Sequence, residues 1–425
     1  MTQTLLKNGR VIDPASGHDA LADVLTHADG TIAQVGPHLD APTDVTVIDC
    51  TGKVVAPGLI DMHVHLRVPG QEYKEDMASG TAAAANGGFT AIACQPNTAP
   101  VIDHAGIVRQ IHELAQGASA RVHIVGAVSK GLANTELSEI AELRDAGVVG
   151  IGDDAFPVHD SAFLRRAMEY CQMLNLPYIA HCEDKDLTGD GVMHEGYVST
   201  VLGLRGIPRS AENIGTARAV LLAMATGCHL HVLHVSTAES VEIIRQAKRF
   251  QAPVTCETCP QYIALTDEAC YGYNTNAKMS PPLRTVSDQE SLKQGLMDGT
   301  IDALATDHAP HAPHEKEQEF ARAPFGMNGL ETSLALVITH LVRPGLLSLS
   351  QMVDKMSLAP ARILGLPAGT LAPGSPADIT VFDPEQEWTV DVNLFKSKSR
   401  NSVLHGATLT GRAVTTFVGG RQIQT

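Results

Sequence analysis

Positive charge is what this chain most lacks. Its 31 lysines and arginines face 47 aspartates and glutamates, a formal net charge of −16. That surplus repels phosphate backbones and anionic lipid, which excludes nucleic acid and membrane surfaces as partners. No long hydrophobic run is present either. The longest apolar stretch, residues 219–235, is broken by Gly227, His229, His231 and His234. It reads as a buried helix ending near Gly227 and then a buried strand, not a membrane span. The eight cysteines are scattered, and several (Cys94, Cys182, Cys228) sit in apolar, strand-like runs. Cys256 and Cys259 form one CxxC with no second pair, which reads as buried thiols at a strand end. The pattern suits reduced thiols in a cytoplasmic protein. Residues 1–9 hold no long apolar core and no small-residue cleavage site, so no signal peptide is expected. What remains is an ordinary globular composition, 44% hydrophobic and 4% aromatic, in 425 residues. That length fits one big barrel plus something smaller, or two to three ordinary domains.

Both ends of the chain are β-rich. Residues 5–12 read as a strand, an Asn8–Gly9 turn and a second strand. Residues 46–55, 377–382 and 413–421 continue the style. The economical reading is one small β-sandwich built from both termini (1–56 and 365–425) around a central domain, 57–364. There, apolar strand candidates at 59–65, 89–95, 122–128, 148–152, 178–182, 230–235, 254–257 and 301–306 alternate with helical patterns such as 161–175 and 238–250. Eight βα units with continuous apolar strands predict an α/β fold, a (β/α)8 TIM-like barrel. The loop 308–328 after the eighth strand suits an active-site lid.

Polar residues collect at the ends of those strands. The first ends in Asp61-Met62-His63-Val64-His65-Leu66-Arg67, the fourth in Asp153-Asp154 and the fifth in His181. The sixth carries His231 and His234, and the eighth ends in Asp307-His308-Ala309-Pro310-His311. Barrel active sites form at this face. Two histidines one residue apart on a strand point to the same side and can grip one ion. Each residue alone has a plainer reading. One of His231 and His234 is expected to be a satisfied core or rim histidine, and Asp307 alone would serve to cap a helix. Together, four histidines and two carboxylates make a mixed N/O set that suits Zn²⁺, with Mn²⁺, Co²⁺ or Fe²⁺ as substitutes.

At this level of detail the chain resembles the amidohydrolase superfamily, and within it the bacterial type I dihydroorotases. The resemblance rests on His63-Val-His65-Leu-Arg67-Val-Pro69-Gly70, Gln95-Pro96-Asn97-Thr98, Asp153-Asp154 and His181-Cys-Glu-Asp184. It continues through Lys278-Met-Ser-Pro-Pro-Leu-Arg284, Thr306-Asp307-His-Ala-Pro-His311 and Ala323-Pro-Phe325-Gly326-x-x-Gly329-Leu-Glu331-Thr, all in family order. It implies that His63, His65 and Asp307 hold a first metal and His181 and His234 a second, with Asp154 bridging. One or two zinc ions per subunit are compatible with these residues, and two are favoured. It implies reversible cyclisation of N-carbamoyl-L-aspartate to dihydroorotate, a step of de novo pyrimidine biosynthesis, with Asp307 as proton shuttle. His65, Arg67, Asn97, Ser280, His311, Phe325 and Gly326 would contact the substrate, Arg67, Asn97 and His311 forming its carboxylate clamp. A homodimer is implied, and association with aspartate transcarbamoylase stays open. Three positions depart from the family pattern: Val68, Ala155, and Ser280 where Asn is usual. Many relatives bridge their metals with a carbamylated lysine, but no lysine lies between Lys130 and Lys185. That absence, with Arg67 and Asn97, disfavours an allantoinase or hydantoinase. A non-catalytic structural partner of the transcarbamoylase is disfavoured because all six ligand positions are intact.

Overall fold

A computed structural model of the chain describes residues 3–423, so residues 1–2 and 424–425 of the expected terminal domain, and of the stretch read for a signal peptide, lie outside the described residues. The N-terminal part supplies β1 (Thr4–Asp13), β2 (His18–Thr26), β3 (Ile32–Gly36), β4 (Thr46–Asp49) and β5 (Val54–Pro57). The C-terminal part supplies three more strands, Ile379–Thr389, Thr408–Val418 and Arg421–Ile423. The first of these runs antiparallel to β5, with Ile379 opposite Pro57 and Phe382 opposite Val54. That pairing joins the two ends of the chain into a single eight-stranded sheet. The sheet curls until Thr31 bridges Pro376, around a core that includes Leu6, Val11, Val24, Ile32, Val55, Val381 and Phe417.

One local expectation fails. Asn8 and Gly9 do not turn the chain. β1 runs straight through them with a bulge between Leu6 and Gly9, and Asn8 takes φ 62°. Tertiary contacts override the turn signal: the Asn8 N–H donates to Asp23 Oδ1 at 2.8 Å. A Cβ on Gly9 would lie 2.6 Å from Val55 Cγ2, so glycine is there for close strand approach. The chain instead reverses between Asp13 and His18.

Between the two β-rich ends stand β6 (Leu59–Val64), β7 (Phe89–Cys94), β8 (Arg121–Ala127), β9 (Gly150–Gly152) and β10 (Tyr178–Ala180). A short two-stranded pair follows, β11 (Met193–His194) with β12 (Gly206–Ile207), and then β13 (Leu230–Val232), β14 (Val254–Thr258) and β15 (Ala303–Leu304). Leaving out β11 and β12, these strands pair in parallel in chain order. The ring closes where Val64 bridges His308 and the His65 N–H donates to the His308 carbonyl at 2.9 Å. The fold is thus the expected (β/α)8 barrel with a sheet domain from both termini. Met62, Ala93, Val125, Ile179, Leu233, Ala303 and Ala305 form an inner cluster with Ile363 and Leu364. Interleaved large and small side chains of this kind fill a barrel axis.

The expected helices form at Ser161–Met173, capped by Asp160, and at Ala238–Arg249, capped by Thr237. The apolar stretch 219–235 is, as read, the end of a helix (Arg209–Thr226), a left-handed Gly227 and then β13. All eight cysteines are buried and free. No helix among the described residues is long and apolar enough to cross a membrane. β9 and β15 are shorter than the apolar runs that announced them. At β15 the reason is visible: the Thr306 N–H leaves the ladder for the Asp61 carboxylate at 3.1 Å, which frees the next residue to turn into the barrel mouth.

Candidate metal centre and substrate pocket

The C-terminal mouth of the barrel gathers His63, His65, Asp154, His181, His234 and Asp307, all buried. His63, His65 and Asp307 form one group that could hold an ion, and His63, Asp154 and His234 a second. Asp154 lies at the centre. Its Oδ2 is 3.5 Å from His63 Nε2 and 3.3 Å from His65 Nε2. Its Oδ1 is 3.0 Å from His181 Nδ1 and 3.5 Å from His234 Nε2. Asp307 Oδ1 lies 3.2 Å from His65 Nε2. Of the Asp pair, only Asp154 faces the mouth. Asp153 accepts from the His181 N–H at 2.8 Å and the Tyr178 hydroxyl at 3.0 Å.

The donor set fits a cation. His63 Nε2 and Asp154 Oδ2 are buried without a hydrogen-bond partner, a costly condition unless something else satisfies their lone pairs. His181 Nδ1 and His234 Nε2 face each other at 2.8 Å. On three of the four imidazoles the outward nitrogen has a neighbour that fixes the ring. His63 Nδ1–H donates to Glu257 Oε1 at 2.8 Å, His65 Nδ1–H to Asn97 Oδ1 at 2.9 Å, and His181 Nε2–H to Glu183 Oε2 at 3.1 Å. A carboxylate or carbonyl behind the imidazole, as at His63, His65 and His181, is the arrangement that orients histidine ligands. His231 is the core histidine of its pair: it donates to Glu257 Oε2 at 3.2 Å and accepts from the Thr255 hydroxyl at 2.9 Å.

The charges are strongly perturbed. Burial opposes charge on His63, yet Asp307, Asp154 and Glu257 outweigh it and hold its pKa well above the usual range. Burial likewise works against Asp154, but the facing imidazoles of His181, His234 and His63 hold it well below the usual carboxylate value. Asp61 is pushed up to about 6 by burial. It ties β6 to the end of β15 through the Thr306 N–H and hydroxyl, and it accepts from the His63 N–H. Three mouth residues occupy the left-handed region: Arg67 at φ 62°, His234 at 34° and Asp307 at 47°. Such strain concentrates at functional sites.

Alternation along β6 does not reach Arg67, because the strand ends at Val64. Arg67 enters the pocket through its left-handed turn instead. It is buried, and burial lowers its pKa to about 10. Its Nε–H donates to the Pro310 carbonyl at 3.2 Å, and among the described residues no carboxylate lies in ion-pair contact with it. His311 donates through Nε2 to the Phe325 carbonyl at 2.8 Å, and its buried Nδ1 makes no hydrogen bond but lies 3.5 Å from Glu315 Oε2. Burial, with Arg67, Lys316 and Lys74 nearby, pushes His311 down to about 3, so it is neutral. Gly326 takes φ 125° and packs where a Cβ would lie 2.6 Å from Ala309 Cβ. Its N–H donates to the Lys278 carbonyl at 2.8 Å. The Lys278 ammonium lies 4.6 Å from the Phe325 ring centre. Ser280, two residues beyond Lys278, is half-buried. The expected Asn97 contact is partly committed elsewhere, since its carbonyl serves His65. The segment 308–328 is fastened from within: Lys316, on the short helix Pro313–Lys316, donates to the Pro324 and Gly326 carbonyls at 2.9 and 3.0 Å.

Sequence reasoning missed Glu257, Asp61 as a barrel closer, and Asn401, whose side chain reaches His311 and Gly326. For Glu257 a signal existed, a carboxylate ending an apolar strand. For Asn401 there was none.

Comparison with known proteins agrees with this geometry. The family described as dihydro-orotase-like matches residues 52–240, and the amidohydrolase family matches residues 271–424. A dihydroorotase of Acetivibrio thermocellus is 50% identical over 99% of this chain and 98% of its own length. One from Citrifermentans bemidjiense is 52% identical over 99% of both. Among solved structures, the L-hydantoinase of Arthrobacter aurescens superposes with a TM-score of 0.89 at 29% identity, covering 100% of this chain and 96% of that one. The chain is therefore a hydrolase of the amidohydrolase superfamily and belongs to the dihydroorotase family.

Proposed function

We propose that this protein is a zinc-dependent dihydroorotase, interconverting N-carbamoyl-L-aspartate and dihydroorotate in the cytoplasm, with its chain divided at 1–56, 57–364 and 365–425. The observation that carries the reading is the buried Arg67 guanidinium beside the His/Asp cluster, with no carboxylate in ion-pair contact among the described residues. Asp307, Glu315 and Asp154 act on this guanidinium only at a distance; a buried cation without a direct partner is costly, and a substrate carboxylate would satisfy it bidentately. A cyclic amide that bears a carboxylate answers both halves of the pocket.

In this reading His63, His65 and Asp307 would hold one zinc, His181 and His234 a second, and Asp154 would bridge. When bound, zinc lowers the pKa of water and polarises a carbonyl, which supplies the nucleophile and stabilises the oxyanion. Asp307 accepts the proton of the attacking water and delivers it to the ring nitrogen as the amide C–N bond breaks; ring closure reverses the transfer. Arg67, the free amide hydrogens of Asn97 and neutral His311 hold the carboxylate. The backbone at Phe325–Gly326 meets the ring's amide edge, and the Ser280 hydroxyl, shorter than an asparagine, reaches the ring through water.

The test is reconstitution of metal-stripped protein with measured zinc, followed by dihydroorotate hydrolysis and carbamoyl-aspartate cyclisation. Activity in both directions that appears with bound zinc is expected. A zinc-loaded protein that leaves dihydroorotate intact and opens unsubstituted hydantoins would refute the reading.

A further inference from the structure

The stretch from Ser397 to Asn401 belongs by sequence to the C-terminal β-rich part, yet it is threaded into the wall of the barrel mouth. Glu75, fully buried, accepts from the Lys398 N–H at 3.0 Å and from the Ser397 hydroxyl. The Ser399 hydroxyl donates to the Lys74 carbonyl at 2.8 Å, and Asn328 Nδ2 donates to the Ser399 carbonyl at 2.7 Å. The segment ends on Asn401, which is 4% exposed.

The Asn401 amide is spent entirely on the pocket wall. Nδ2 donates to the Ala309 carbonyl at 2.9 Å and to the Gly326 carbonyl at 3.2 Å. Oδ1 accepts from the His311 N–H at 3.1 Å, and the backbone carbonyl accepts from the Asn328 N–H at 2.9 Å. The residues so gripped are those that present the substrate groups. Pro310, between Ala309 and His311, holds Arg67 Nε. Phe325, beside Gly326, holds His311 Nε2. One side-chain amide thus fixes three neighbours: the carbonyl stretch under Arg67, the backbone of His311, and the Phe325–Gly326 turn. No aliphatic or carboxylate side chain of that size offers both donors and acceptor in one plane.

We propose that Asn401 is a positioning residue for substrate binding, locking the Arg67–His311–Gly326 wall in the geometry that receives a carboxylate-bearing ring. The proposal rests on the substrate-pocket reading above. Asn401 has no contact with His63, His65, Asp154, His181, His234 or Asp307 in the hydrogen-bond network, so it acts on binding and not on the metal. A cavity of about 170 Å³, lined in part by His311, Lys316, Arg400 and Asn401, adjoins it; truncation lets water reach the freed backbone groups.

The experiment compares the zinc-loaded wild type with Asn401→Ala and Asn401→Asp. The first readout, independent of turnover, is amide hydrogen exchange. Peptides covering 309–311 and 325–328 are expected to exchange about tenfold faster in Asn401→Ala while β6 to β10 keep their protection. The second is steady-state kinetics with dihydroorotate: KM is expected to rise about tenfold with kcat within about threefold and zinc content unchanged, the pattern of lost uniform binding. Asn401→Asp keeps the acceptor for His311 but sets a carboxylate against two carbonyls, so its KM should rise further. Unchanged exchange at both segments in either folded variant would overturn the proposal. So would a loss of zinc with a parallel fall in kcat, which marks general support of the fold. Failure of the wild type on dihydroorotate refutes the activity reading alone, and the exchange result still decides whether Asn401 locks the wall. Should Asn401→Ala not fold, Asn401→Ser carries the same comparison.

Discussion

Replacing Glu257 with Gln tests whether the orientation of His63 governs metal binding. Glu257 is fully buried and accepts from His63 Nδ1 at 2.8 Å and from His231 Nε2 at 3.2 Å. Burial would raise its pKa, but these two imidazoles hold it well below the usual value, so it is an anion between two donors. Glutamine keeps the shape and removes the charge. Its NH₂ can face only one imidazole as a donor, so one ring loses its partner or changes tautomer. A hydrogen bond to a charged group contributes about 1.5–3 kcal/mol. Loss of one on the His63 side therefore weakens metal binding by about 10- to 100-fold, since each decade is about 1.4 kcal/mol. The assay is zinc titration against a competing chelator of known affinity. Wild-type affinity in folded Glu257→Gln, with His63 still required for binding, would refute the argument.

Three further outcomes follow from the same geometry. Asp307→Asn should lower kcat by at least about 10²-fold, the scale of positioned proton transfer, while zinc still binds through the histidines; turnover above a few per cent of wild type would remove Asp307 as the proton shuttle. Arg67→Met should raise KM for carbamoyl aspartate by at least about tenfold, as expected for a charge-assisted pair, and an unchanged KM would end the clamp assignment. Lys316 tests pH linkage: burial, then the like charge of Lys278, lowers its pKa to about 7. Between pH 7 and its unfolded value near ~10.4 the unfolded chain holds a proton the folded one lacks, so this group makes stability rise with pH in that window. Urea denaturation at pH 7 and 8.5 should show a smaller gain in Lys316→Met than in wild type, and an equal gain would contradict the burial of that charge.

How far the sequence disclosed this protein depended on whether a residue's role was local. The ligand candidates stood out because His63, His181, His234 and Asp307 are polar residues closing apolar strands, and a barrel brings strand ends to one mouth. Asp154 was separable from Asp153 only through the family resemblance; in the structure the choice is physical, because Tyr178 and the His181 backbone N–H occupy Asp153. Asn8–Gly9 misled because a bulge and a turn use the same left-handed residue, and only the partner strand decides between them. Asn401 was invisible because it meets His311 across 90 residues of chain, in a segment whose composition reads as part of a sheet domain. Arg67 lies beyond the end of β6, and a left-handed turn, which the sequence does not announce, brings it to the barrel mouth.

The central claim is that one barrel mouth carries both a metal-dependent hydrolytic cluster and a buried cation that reads a carboxylate. The most direct measurement is kcat/KM of the zinc-loaded protein for dihydroorotate against dihydrouracil, the same ring without the carboxylate. Losing the partner of a buried charge costs about 2–5 kcal/mol, so at about 1.4 kcal/mol per decade dihydroorotate should be preferred by about 1.5 to 3.5 decades, and Arg67→Met should erase most of that preference. Comparable kcat/KM for the two rings, with Arg67 intact, would contradict the account.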